Sequence, residues 1–162
     1  MARSSRTFIL KLSSSGVELF LDCHHRLCQQ TNELLPYGQT LYCALIHLTG
    51  VESVRILDDL LTLKFSGHTG KRSCFVGAPS KLADMATSLA TRIALDVPSN
   101  RQAIMTVRLF VVALKRFRVA APDEVLACYG AMIEDAGELI KLPRRLRSAE
   151  GYEREQGSEK IG

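Results

Sequence analysis

Two pairs of residues have the spacing of metal ligands, His24-x-x-x-Cys28 and Cys43-x-x-x-His47. Residues four apart on a helix share a face, and two such pairs could supply the nitrogen and sulfur ligands of a tetrahedral zinc site. The first pair falls in a segment with helical periodicity. The second falls in a nearly continuous apolar run. Read as a strand, that run holds its two ligands about 13 Å apart, too far for one ion. Core cysteines and ordinary histidines are the expectation, with no bound metal.

Nucleophilic catalysis needs a Ser or Cys at a sharp turn beside a base. No G-x-S-x-G is present, and Cys23 beside His24 and His25 gives adjacency without a shared helix face. The segment GHTGKRS at 67–73 approaches a phosphate-binding loop. Arg72, however, stands where Ser or Thr must follow Gly-Lys, and a strand rather than a helix is expected after it. Adjacent carboxylates occur at Asp58-Asp59, Asp123-Glu124 and Glu134-Asp135. A turn, a helix start and a solvated helix face account for these better than acid–base chemistry. The reading is a non-enzymatic chain with no cofactor and no small-molecule substrate.

Positive charge is the most informative feature. Residues 1–118 carry 15 Lys/Arg against 8 Asp/Glu, whereas residues 119–162 carry 6 against 9, so a basic body precedes an acidic-leaning end. Arg101, Arg108, Lys115, Arg116 and Arg118 fall in one stretch without an acidic residue. Lys71 and Arg72 make a second basic point, and Arg144, Arg145 and Arg147 a third. Such clusters attract phosphate backbones or anionic head groups. Only Phe110 and Phe117 interleave with the basic residues, which is poor support for a base-stacking platform.

The elements that must position these charges read as follows. Residues 7–12 alternate as a strand with Phe8, Leu10 and Leu12 on one face. A Ser-Gly turn leads to a hairpin partner at 17–21. Asp22 caps a helix running to about Leu35. The apolar run at 41–48 is a central strand or a short buried helix. Residues 54–57 and 60–65 are strands around an Asp58-Asp59 turn. A short strand spans 74–78. Ser80 caps a helix from Lys81 to about Leu95, and residues 104–114, rich in β-branched side chains, form a long strand. Pro122 opens the last helix, with Val125, Tyr129, Met132, Ala136 and Leu139 as its buried stripe. The expected fold is one α+β domain at 1–143, a mostly antiparallel sheet with about three amphipathic helices packed on it. A charged, disordered tail follows at 144–162.

No run of 18 apolar residues occurs, and residues 1–6 make a poor signal peptide. With five cysteines, an odd number, reduced buried thiols and an intracellular, cytoplasmic protein are expected.

The stretch RTFILKL, a following amphipathic helix and TLYCALIHLTG resemble the core opening of rhabdovirus matrix proteins. The match covers residues 6–50, with a looser echo up to Arg118. This resemblance implies a structural protein of the virion, lying beneath the envelope and at host membranes. It implies binding to nucleoprotein and to anionic membrane surface, and self-association into a homo-oligomer. A second stretch, CFVGAPSKLADMATSLATRI, is similar to small proteasome-assembly chaperones over about 61–140. That likeness implies a dimeric, transient protein-binding module.

Overall fold

The computed structural model describes residues 5–139; the expected tail at 144–162, with Arg144, Arg145 and Arg147, lies outside the described residues. The first element is β1, Ser5–Leu12, with Phe8, Leu10 and Leu12 turned to the core as the alternation predicts. No hairpin partner follows it. Ser13 Oγ accepts the Gly16 N–H at 3.1 Å, and this cap starts helix α1, Ser14–Thr31, at once. Residues 17–21 are therefore helical, and Asp22 lies inside the helix rather than at its cap. Asn32, with φ 54°, ends α1 short of Leu35 in the left-handed conformation that Asn tolerates.

The apolar run at 41–48 belongs to helix α2, Tyr37–Thr49. Helix α3, Ser53–Thr62, replaces both strands expected between 54 and 65. Ser53, Ile56 and Leu57 are buried, with Leu60 partly so, on one helical face. Asp58 is exposed on the helix, and Asp59, at the edge of the buried face, pairs with Arg116; neither turns the chain. A single 3₁₀ turn, Phe65–Gly67, leads to β2, Arg72–Pro79, which contains the short strand expected at 74–78. Helix α4, Lys81–Asp96, buries Leu82, Ala86, Leu89 and Ile93 as its periodicity predicts. Helix α5, Thr106–Arg118, stands where a long strand was expected. Helix α6, Pro122–Leu139, starts at Pro122 as expected and buries Val125, Cys128 and Met132. The burial of Ala136 and Leu139 lies outside the described residues.

The chain thus mixes helix and strand, but in proportions opposite to those expected. Among the described residues there are six α-helices and one two-stranded antiparallel sheet, in register from Ser5↔Pro79 to Leu12↔Arg72. Helix α2 is the centre of the packing and touches α1, α4, α5, α6 and β2. That position explains why every residue from 40 to 45 is buried. Helix α5 lies against α1, α2, α3 and α4, so six consecutive residues from Leu109 to Leu114 are buried. Cover on most sides strips α2 of its polar stripe and weakens its 3.6-residue signal.

Arg92 of α4 locks the junction between α2 and α3. It donates to the carbonyl oxygens of Thr49 (2.6 Å) and Val51 (2.7 Å) and to Ser53 Oγ (3.3 Å). These carbonyls lie at or just past the end of α2, where no intrahelical donor remains. Arg92→Met is expected to lower stability by about 2 kcal/mol, seen as a lower urea midpoint with an unchanged slope.

Candidate functional site

Helical geometry sorts the basic residues of α5. Arg108 and Lys115 are seven residues apart, about two turns, so they share a side of the helix, and Arg118, three residues after Lys115, lies on one flank of that side. Arg108 lies over the Phe65 ring, 4.8 Å from its centroid. Lys115 and Arg118 both act on His68, whose pKa is lowered first by burial and then by these two cations. The segment running from Phe65 to His68 therefore lies along the basic side of α5.

The same segment continues through Lys71 to Arg72, both exposed, where β2 begins. Its backbone is tied down at several points. Ser13 N–H donates to His68 O at 2.9 Å, Gly70 N–H donates to Lys11 O at 3.3 Å, and Leu12 bridges to Thr69. Lys11 is exposed and donates to Ser73 Oγ, which keeps its ammonium beside the start of β2. The N-terminus of α1 abuts His68 as well, with its helix dipole positive there. His68 Nδ1 is screened from solvent and has no hydrogen-bond partner among the described residues.

Two of the expected residues fall outside this cluster. Arg116 lies on the flank opposite Arg118, about a quarter-turn from Arg108, and is committed to Asp59 Oδ2 of α3. Arg101 is exposed in the connection before α5; its neighbours Asn100 and Gln102 line a crevice with Arg108, so it stands beside the cluster rather than in it. Arg118 is shared: its Nη1 lies 3.8 Å from Asp22 Oδ2, and both groups are solvent-exposed, so this pair is weak. Lys11, Lys64, Arg26 and His68 are basic residues that the sequence reading did not single out. Arg26 donates to the carbonyls of Phe117 and Arg118, both at 3.0 Å, and so closes the C-terminus of α5. Lys64 is exposed and directly precedes Phe65. Its proximity in sequence to Lys71 was the one available signal.

The two zinc-like pairs are both helical, since α2 carries Cys43 and His47. Each pair can therefore share a face, but the two do not meet. Cys43 Sγ donates to Met132 Sδ at 3.7 Å, and His47 Nε2 lies 3.4 Å from Glu124 Oε2. Among the described residues no three His, Cys, Asp or Glu side chains gather around one point. The loop at 67–73 leads into β2, so no helix N-terminus follows Lys71 to receive a phosphate. Among the described residues no single helix is long and apolar enough to cross a membrane. No protein-family model matches the chain, and neither the curated proteins nor the solved structures contain a match to it.

Proposed function

We propose that this chain is a non-enzymatic structural or assembly protein that uses its basic surface to bind anionic membrane and nucleoprotein, and that it self-associates. This is the role that the likeness to rhabdovirus matrix proteins implies. The observation that supports it is the gathering of Arg108, Lys115 and Arg118 along the segment from Phe65 to Arg72, next to the N-terminus of α1. Nothing acidic neutralises Arg108 or Lys115 in an ion pair among the described residues. Each cation near an anionic bilayer contributes about 1 kcal/mol.

Flotation with neutral and anionic liposomes tests the reading. Binding to anionic liposomes alone, lost at high salt, is the expected result. Absence of binding at low salt overturns the membrane role. A second reading, a protein-binding module of the assembly-chaperone type, draws support from a different face. Ile9 and Phe75 are paired across β1 and β2 and are 56% and 68% exposed; Leu21 and Tyr37 line the same groove as Phe75. A protein that ignores lipid but forms one defined complex through this apolar patch would fit that reading instead.

A further inference from the structure

The five cysteines are chemically unequal, and one of them carries a base. Cys23, Cys43 and Cys128 are buried, and burial pushes their thiols up to about 12, about 12 and about 11, so they stay protonated and inert. Cys74 and Cys28 are only partly buried. Of these two, Cys28 has an imidazole within reach: its Sγ lies 3.7 Å from His24 Nε2, one helical turn back on α1. The other ring nitrogen, His24 Nδ1, is 2.7 Å from Thr40 Oγ1, which projects from α2 and is fully buried. The Tyr37 ring packs on the imidazole with centroids 4.5 Å apart and is itself about half exposed.

We propose that Cys28 is a nucleophilic thiol and a site of covalent modification, with His24 as its base and Thr40 as the positioning residue that orients the imidazole. The arrangement is nucleophile, base and orienting group in sequence, which is the geometry that activates a thiol. When Nδ1–H donates to Thr40 Oγ1, the Nε2 lone pair faces the Cys28 thiol. Burial and the neighbouring His25 hold the His24 pKa below its usual value, so the ring is neutral and can accept a proton at physiological pH. The ligand class is a soft carbon electrophile with a leaving group. In the step, the thiol proton passes to His24 Nε2 and a bond forms between Sγ and the electrophilic carbon. The bond from that carbon to the leaving group breaks, and the leaving group departs with the electron pair. With iodoacetamide the leaving group is iodide and the product is the Cys28 thioether. This reactivity is independent of the basic surface and of the role proposed for it.

The experiment is timed alkylation of the full native chain by iodoacetamide at neutral pH, with each cysteine followed by peptide mass spectrometry. Cys28 is expected to react first, roughly tenfold faster than Cys74. His24→Asn is expected to bring Cys28 down to the rate of Cys74 and to leave Cys74 itself unchanged, which reports an intact fold. A wild-type Cys28 no faster than Cys74 overturns the proposal, and that ranking decides the matter even if the variant does not fold. An unchanged Cys28 rate in a folded His24→Asn chain overturns it equally.

Discussion

Gly38→Ala is expected to destabilise the protein by about 3 kcal/mol, while Gly130→Ala stabilises it by about 0.5–1 kcal/mol. Both glycines are helical, so propensity alone favours alanine at each. The difference is space. A methyl group at position 38 would overlap the carbonyl oxygen of Gly77, because the first turn of α2 crosses β2 with only a hydrogen between the two backbones. Position 130 of α6 faces open space. Neither backbone at the crossing can yield cheaply, since α2 is the central helix and β2 is held by β1. Urea unfolding of the two variants measures the contrast. A Gly38→Ala midpoint equal to that of the wild type would show that the crossing is looser than described.

Replacing Arg108, Lys115 and Arg118 together by Gln is expected to weaken binding to anionic vesicles about a hundredfold, from roughly 1 kcal/mol per cation. Arg116→Gln is the internal control. Its guanidinium is already engaged by Asp59, so affinity should stay unchanged while stability falls slightly. The pH dependence has a definite sign. In the free protein, burial and then the cations Lys115 and Arg118 depress the His68 pKa. A bound anion offsets the two cations, so the bound state takes up a proton that the free state lacks. Affinity therefore rises as pH falls from neutral to below the ordinary imidazole range, because the free-state His68 pKa is depressed and the bound anion relieves part of that depression. His68→Gln should flatten that profile. Vesicle titrations across pH and salt decide the matter, and a triple variant that binds like the wild type would remove the basic surface from the function.

Several elements with one solvated face announced it, although α3, equally one-sided, reads in sequence as two strands. The alternation at 7–12, the stripe of α4 and the Pro122 start of α6 were all legible because polar residues mark the outer face. In α2, which is covered on most sides, the apolar run carried little period, and in α5 β-branched residues outweighed the period. Val107, Val111 and Val112 suggested a strand, but in α5 the latter two are packed on several sides and tertiary burial overrides their β preference. The Ser-Gly run after β1 was legible as a chain reversal, yet Ser13 acts as a cap, and the same residue types serve both purposes. The basic stretch at 101–118 was visible as composition. Its division into a surface trio and an Arg116 bound to Asp59 needed the helix, since in a strand Arg108 and Lys115 would face opposite sides. The pairing of His24 with Cys28 was visible as a spacing, but its orientation by Thr40 depends on how α2 crosses α1.

The pairing of β1 with β2 sets an order of events during synthesis. β1 is the first described element to leave the ribosome, and its strand partner among the described residues lies beyond α1, α2 and α3. Until β2 emerges, a strand with Phe8, Ile9, Leu10 and Leu12 has neither edge satisfied. Helices α1 to α3 form locally and fast, whereas the sheet must wait for a long chain closure. The nascent chain thus carries an adhesive strand until β2 has been made. Slow elongation before residue 79 prolongs that exposure, and arrested chains ending before β2 should be captured by holdase chaperones where chains ending after it are released.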